Sequence, residues 1–205
     1  MLSLDIDEAV SALRASDTHM ANLIARVGPF ELALTDEWSP FQALVRSVIF
    51  QQISTHAGRA IQGRLFSLFD GSAPEPDAVL QTTPEELRGV GLSQAKEKTI
   101  RNLAVHAADG TLPDQVAMEK LTDEEIIKTL TIHRGIGIWT AQMLLIFNLG
   151  RPDVWPVTDL GIRRGYKIAY GLDELPMPSE LRDIGDRWKP FRSIASWYLW
   201  RANDL

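Results

Sequence analysis

Apolar residues recur every three or four positions along almost the whole chain, and this spacing constrains the fold more than any other feature. Such a period places apolar side chains on one face of a helix, whereas strands would show strict alternation, which is scarce here. The pattern predicts an all-α protein. We expect helices over residues 7–15, 18–27, 40–53, 55–69, 76–81, 84–89, 93–108, 123–130, 138–149, 159–170, 178–187 and 192–201.

Proline marks the expected start of three helices, at Pro40, Pro84 and Pro178. The first helical turn tolerates a residue without an N–H, and the preceding Ser39 and Thr83 are good N-capping residues. The stretches 70–76 and 171–178 are rich in glycine and proline and are predicted to be loops. Neither is long enough to link separate domains, so we expect one compact unit.

Charge and cysteine content exclude several classes of protein. The chain has no cysteine, which excludes disulfides, thiolate metal sites and cysteine nucleophiles, and its net charge of −6 argues against general electrostatic binding of nucleic acid. Two stretches, 88–101 and 151–167, are locally basic. No apolar run approaches the roughly 20 residues that cross a bilayer, and the acidic N-terminus is unlike a signal peptide. We therefore expect an intracellular protein with no membrane contact.

Two segments share a glycine, apolar residue, glycine pattern: LRGVGLSQAK at 87–96 and IHRGIGIWTA at 132–141. In each, the pattern is expected to end one helix and begin another, because glycine allows positive φ and a close approach of the backbone. The N–H groups at the start of the second helix would then be available to a phosphate. A tight corner between packed helices is the alternative interpretation of the same glycines.

The longer segment LTIHRGIGIWTAQMLLIFNLGRPDVWPVTDLGIRRG at 130–165 resembles the helix-hairpin-helix and Gly/Pro-Asp signature of the DNA glycosylase superfamily, and is most similar to its 3-methyladenine DNA glycosylase II branch. The similarity continues in FQALVRSVIFQQIS at 41–54, GLSQAKEKTIRNLA at 91–104 and RWKPFRSIASWYLW at 187–200. The resemblance implies a two-lobed helical fold with a cleft, one lobe formed by residues 1–47 and 152–205 and the other by 48–151. The helical core begins almost at residue 1, so we expect no additional N-terminal domain.

The same resemblance assigns the catalytic carboxylate to Asp159. A fixed anion stabilises the positive charge that develops on the sugar when an N-glycosidic bond breaks. An alkylated purine carries a positive charge and leaves as a neutral base, so we expect no separate general acid. Asp159 also precedes a predicted helix, where an aspartate is a good N-cap, and the two roles are compatible.

The resemblance also implies a pocket for a base flipped out of the DNA helix. It assigns this role to Trp139 and Trp200, with Met143 at a position where relatives have an aromatic residue. The remaining tryptophans are expected in the core. Bifunctional relatives place a nucleophilic lysine where this chain has Trp139, so we predict base release without strand cleavage.

Further assignments concern the DNA backbone and a cation. The residues expected to contact the DNA backbone are Gly135, Gly137, Ile138, Thr140, Gly89, Gly91 and Lys96. No cofactor is expected to be required, but the resemblance implies a sodium or potassium ion held by main-chain carbonyls of Thr131, His133 and Ile136.

The predicted function is a monofunctional DNA glycosylase of base excision repair that acts, as a monomer, on alkylated purines such as 3-methyladenine and 7-methylguanine in double-stranded DNA. Three alternatives remain open at this point. One is a helix-hairpin-helix module that binds DNA without catalysis, and another is a bifunctional glycosylase and lyase for oxidised bases. The third is a helical scaffold protein, which would have no affinity for DNA at low salt.

Overall fold

A computed structural model describes residues 5–35 and 37–205, and every regular element within them is helical, so the predicted all-α fold is confirmed. None of these helices is long and apolar enough to cross a membrane. In chain order the helices are α1 (Ile6–Ser16), α2 (Thr18–Val27), α3 (Pro40–Phe50), α4 (Thr55–Leu68), α5 (Pro76–Gln81), α6 (Pro84–Gly89), α7 (Gln94–Ala108), α8 (Gln115–Glu119), α9 (Asp123–Thr131), α10 (Ile138–Phe147), α11 (Leu160–Tyr170), α12 (Pro178–Ile184), a 3-10 helix (Gly185–Trp188) and α13 (Arg192–Ala202).

The chain divides into two compact units. The first contains the described residues up to Leu34 together with Gly150–Leu205, and the second is Thr35–Leu149. The expected boundary at 47 and 48 falls inside α3 instead. The division lies earlier because α3 packs on α4, α7 and α10, so the whole helix belongs to the second unit.

The first unit is built on α11 and α13, which pack against each other, with α1 and α2 beside them. Its core is rich in aromatic residues. Trp155 and Trp188 meet edge to face with ring centroids 5.1 Å apart, and the indole N–H of Trp155 donates to the Leu181 carbonyl oxygen at 2.7 Å. The structure buries Trp155, Trp188 and Trp197, as the sequence predicted.

The loop that connects Gly150 to α11 is tied to the start of α13. The guanidinium of Arg192 forms a two-point ion pair with Asp153, with N···O distances of 2.7 and 2.9 Å. The Ser193 hydroxyl donates to the Arg151 carbonyl at 2.6 Å and accepts from the Val154 N–H at 3.0 Å. These bonds fix the first half of the loop relative to α13.

The second unit contains α3 to α10, with α7 packed on α3 and α5 and with α10 packed on α3 and α9. Ser39 and Thr83 each form a capping box at the predicted helix starts. The predicted helix over 40–53 ends three residues early, at Phe50. The ammonium of Lys96 binds the carbonyls of Ile49 and Gln51, and Gln52 takes a left-handed conformation with φ of 56°, so the helix cannot continue.

Other elements also differ from the sequence prediction, and α12 ends at Ile184 rather than residue 187. Helix α10 ends at Phe147 rather than residue 149, and the Asn148 side chain donates to the carbonyls of Thr35 and Trp38 at 2.6 and 2.9 Å. Helix α8 was not predicted, because five residues are too few to show a helical period.

Candidate active site

The carboxylate of Asp159 sits at the start of α11, where the residue is the N-cap. Its Oδ1 accepts a hydrogen bond of 2.8 Å from the N–H of Ile162, which is the capping role that the sequence allowed. Asp159 is only 9% exposed, so its carboxylate is held in a nearly dry environment. A buried anion is retained because hydrogen-bond donors compensate for its lost hydration.

A second donor to the same oxygen comes from α13. The indole N–H of Trp200 bonds to Oδ1 of Asp159 at 2.9 Å. Gly161 makes this approach possible, because a Cβ there would lie 2.9 Å from Cδ1 of Trp200 and 3.1 Å from Oδ1 of Asp159. The structure thus brings together two of the predicted site residues, Asp159 and Trp200, and adds Gly161, which sequence reasoning missed.

The hairpin of the second unit lies between α9 and α10. Gly135 has φ of +88°, and a Cβ there would overlap the Thr99 hydroxyl, so glycine is the residue that fits. Gly137 has φ of −97° and open space around its Cα, so its role differs. It is the N-cap of α10, and no side chain caps the helix there. The first N–H groups of α10, among them the proposed donors of Ile138 and Thr140, therefore have no accepting side chain at the N-cap itself.

The first glycine turn differs from the second at the start of its helix, where one main-chain N–H is capped by a side chain. Gly91 has positive φ of 103°, but α7 begins three residues later and is capped by the Ser93 hydroxyl, which accepts from the N–H of Lys96. Gly89 is the last residue of α6. The Lys96 ammonium donates to two main-chain carbonyls at 2.8 Å each, which leaves one of its three N–H donors for any phosphate.

Trp139 and Met143 lie one turn apart on α10 and therefore share a face of that helix. Met143 is buried and Trp139 is half-buried. Both belong to the second unit, whereas Trp200 belongs to the first. Trp38, expected in the core, is half-buried and packs edge to face on Phe66 with ring centroids 5.8 Å apart.

The sequence assigned a cation to the main-chain carbonyl oxygens of Thr131, His133 and Ile136 and not to side chains. Among the described residues, no group of three or more His, Asp or Glu side chains could hold a metal ion. Thr131 ends α9, where the last carbonyls have no donor within the helix, while the His133 carbonyl accepts from the N–H of Ile136 at 3.0 Å. The imidazole of His133 is buried, its Nε2 has no partner among the described residues, and burial together with His106 lowers its pKa.

Gln51 connects the end of α3 to the hairpin. Its side-chain amide donates to the Gly135 carbonyl at 3.0 Å and to the Thr140 hydroxyl at 2.9 Å. The paired glutamines at 51 and 52 were the available signal. Gln51 is separated along the chain by 84 positions from Gly135 and by 89 from Thr140. Contacts between residues so far apart produce no periodic pattern in a sequence.

Comparison with known proteins gives a consistent result. The model of the HhH-GPD superfamily of base excision DNA repair proteins matches residues 45–190. The DNA-3-methyladenine glycosylase 1 of Schizosaccharomyces pombe is 33% identical over 216 residues, covering 100% of this chain and 95% of that protein. The solved structure of the 3-methyladenine DNA glycosylase from the same yeast, in complex with abasic DNA, has a TM-score of 0.94 at 34% identity and covers 97% of both chains. A DNA-3-methyladenine glycosidase from Bacillus halodurans has a TM-score of 0.77 at 36% identity, covering 95% of this chain and 88% of that one.

The chain therefore belongs to the HhH-GPD superfamily of base excision DNA repair proteins. Within that superfamily it falls in the 3-methyladenine DNA glycosylase branch. This confirms the helical glycosylase fold and the predicted function, an N-glycosidase that acts in the base excision repair of alkylated bases.

Proposed function

We propose that this glycosylase is monofunctional and that Asp159 is its catalytic carboxylate. The observation that carries the proposal is the geometry of this carboxylate, which is nearly buried and oriented through one oxygen by the N–H of Ile162 and the indole N–H of Trp200. An anion held in this way needs little reorganisation when positive charge develops beside it, so it stabilises that charge more strongly than a solvated carboxylate would.

The chemistry follows from the leaving group. Breaking the bond between C1′ and the purine nitrogen leaves positive charge on the sugar, and the carboxylate stabilises that charge and orients the attacking water. An alkylated purine takes the electron pair of the broken bond and departs neutral. Water supplies the hydroxyl group at C1′ and releases its other proton to solvent, which balances the positive charge of the substrate, so the products are the free base and an abasic site. No general acid is required, and 3-methyladenine and 7-methylguanine are the proposed substrates.

The proposal excludes strand cleavage by a lyase reaction. In bifunctional relatives that reaction uses a lysine at one position of the hairpin helix. That position is Trp139, which has no amine to form a Schiff base. Trp139, Met143 and Trp200 remain the proposed side chains for binding the flipped base. Indole rings stack on purines and attract a cationic base more strongly than a neutral one.

Damaged double-stranded DNA is the proposed partner, bound by a monomer, and this substrate implies an intracellular location. The main-chain N–H groups at the start of α10 are the proposed phosphate contact, with Gly135 and Gly137 allowing the close approach. This mode of binding needs few basic side chains, which reconciles the net charge of −6 with a DNA substrate. Gly89 and Gly91 remain proposed as a second, weaker backbone contact.

A monovalent cation at the hairpin is also proposed. The carbonyls of Thr131, His133 and Ile136 would hold it, and their chemistry fits sodium or potassium because neutral oxygens suit hard ions of low charge. When bound, the cation would supply positive charge close to an incoming phosphate. No step of the chemistry depends on it.

The test compares the wild type with Asp159→Asn on duplex DNA that contains 7-methylguanine. Asparagine keeps the oxygen that accepts from Ile162 and Trp200, so the fold is preserved while the negative charge is lost. We expect the wild type to release free base and leave strands that break only in alkali, and the variant to bind DNA but to be slower by about a hundredfold or more. An Asp159→Asn variant close to wild-type rate would refute the catalytic assignment, and strands nicked without alkali would refute the monofunctional one.

A further inference from the structure

The positive charge of Lys96 suggests a contact with DNA phosphate, but its side chain binds the protein's own main chain. Its ammonium donates to the carbonyl of Ile49 at 2.8 Å and to that of Gln51 at 2.8 Å, at the C-terminal end of α3. The carbonyls of a last helical turn have no donor within the helix, and a lysine there both satisfies them and favours the helix dipole. Burial lowers the pKa of this ammonium, consistent with its half-buried position.

The residue that Lys96 holds is the one that contacts the hairpin. Gln51 uses its side-chain amide to bind the Gly135 carbonyl at 3.0 Å and the Thr140 hydroxyl at 2.9 Å. Both N–H donors of that amide are thereby engaged, one on the glycine turn and one on the first turn of α10.

The next residue shows that the main chain is constrained here. Gln52 has φ of 56°, in the left-handed region that residues other than glycine rarely occupy. Such a conformation persists only where neighbouring contacts impose it. The two bonds from Lys96 end on carbonyls directly before this residue. The same helix, α7, also contacts the hairpin through Thr99, which leaves no space for a side chain at Gly135.

We propose that Lys96 is a positioning residue: it fixes the main chain of Gln51, and Gln51 holds the hairpin in the geometry that receives a DNA phosphate. The inference rests on the proposed use of the hairpin in DNA binding. It replaces a direct phosphate contact of Lys96 with an indirect role through two hydrogen-bonded steps.

The first test measures the binding of duplex DNA containing a tetrahydrofuran abasic site at several potassium chloride concentrations. For Lys96→Met we expect affinity weakened about tenfold, the effect of losing hydrogen bonds from a charged donor, with an unchanged slope of log K against log salt. A direct phosphate contact would instead make the slope shallower by about 0.9, and that result would overturn the proposal, as would wild-type affinity. Lys120→Met is the control, since Lys120 is exposed at the end of α8 and its loss also removes one positive charge.

The second test asks whether Lys96 acts through Gln51. If it does, the double variant Lys96→Met with Gln51→Leu binds DNA no more weakly than the weaker single variant, because both substitutions break the same connection. Additive losses would contradict the proposal. The rate of base release at saturating enzyme should stay within about twofold of wild type for Lys96→Met, since the carboxylate is untouched.

Instability and failure of the proposed function give different results. A variant that is only less stable has a smaller fraction of active protein, measured by titration with the abasic-site DNA, but an unchanged affinity in that fraction, and this outcome would also overturn the proposal. If the wild type itself neither binds this DNA nor releases a methylated base, the proposed function fails before Lys96 is tested.

Discussion

The indole nitrogen of Trp200 lies 2.9 Å from Oδ1 of Asp159, across 41 residues of chain, and donates a hydrogen bond to it. A tryptophan that the sequence assigned to base binding is therefore also a partner of the proposed catalytic carboxylate. This contact is part of the first unit and depends on the packing of α11 against α13.

Trp200→Phe tests this contact. Phenylalanine keeps an aromatic ring but has no N–H, so the carboxylate loses the hydrogen bond from α13 that helps to orient it. We expect the single-turnover rate of base release to fall by about tenfold to a hundredfold, the range for losing a hydrogen bond to a charged group. Trp38→Phe, on a half-buried tryptophan of the second unit, is the control and should keep the wild-type rate. Equal rates for all three proteins would show that the indole N–H has no role in catalysis.

Gly161→Ala tests the close approach of Trp200 to Asp159. The new methyl group would stand 2.9 Å from the indole and 3.1 Å from the carboxylate, so one of them must move. We expect a slower single-turnover rate with little change in affinity for abasic-site DNA. Gly63→Ala is the matched control, because Gly63 lies inside α4 with no atom within 4 Å of the added methyl, and alanine favours a helix. A Gly161→Ala enzyme with the wild-type rate would contradict the prediction.

Gly135→Ala and Gly137→Ala should differ in stability. Alanine at position 135 would require positive φ and would overlap the Thr99 hydroxyl, whereas position 137 has φ of −97° and open space. We expect Gly135→Ala to lower the free energy of unfolding by about 1–3 kcal/mol, the cost of a strained backbone residue, and Gly137→Ala to leave it nearly unchanged. Urea denaturation followed by circular dichroism measures both. Similar losses at the two positions would contradict the distinct roles assigned to these glycines.

His133 makes the stability of the protein depend on pH. Burial and the neighbouring His106 lower the pKa of its imidazole in the folded state, while Asp109 acts in the opposite direction. Between this lowered value and the unfolded value of about 6.5, the unfolded chain binds more protons. The contribution of His133 to stability is therefore full above about pH 6.5, decreases as the pH falls below it, and levels off below the folded-state pKa.

Urea denaturation at about pH 7.5, 6.5 and 5.5 tests this dependence on the wild type and His133→Phe. The pKa of Asp109, the carboxylate that interacts with His133, is lowered by its bonds to Thr111, so this group stays ionised over the tested pH range and the difference between the two proteins isolates the imidazole. We expect the wild type to lose stability relative to the variant as the pH falls. His56→Asn, at an exposed position, should follow the wild type. A difference between wild type and His133→Phe that is independent of pH would show that His133 does not titrate differently on folding.

The sequence was most informative where the controlling interactions are local. Ser39 and Thr83 precede prolines and form capping boxes at the expected positions, because a cap involves residues only three apart. Asp159 was assigned as the catalytic carboxylate from its place after the hairpin and the Gly/Pro loop. Its capping bond to Ile162 is equally local. Within the segment 130–165, order and spacing along the chain carry the information.

The sequence was least informative where a distant residue decides the outcome. The end of α3 depends on Lys96, about 45 residues away, and the same bonds engage an ammonium that the sequence had assigned to phosphate. The capping of α7 by Ser93 distinguishes the two glycine turns, although both have the same glycine spacing.

The sequence alone thus determined the helical class, most helix boundaries and the family signature, and it led to the proposed role of Asp159, because each depends on period, capping or motif order. Only the tertiary structure decided that Trp200 and Gly161 surround Asp159, that Lys96 binds α3, and that Gln51 holds the hairpin. These contacts form between helices far apart in the chain. Their geometry depends on how buried faces pack, which a linear pattern of residue types does not specify.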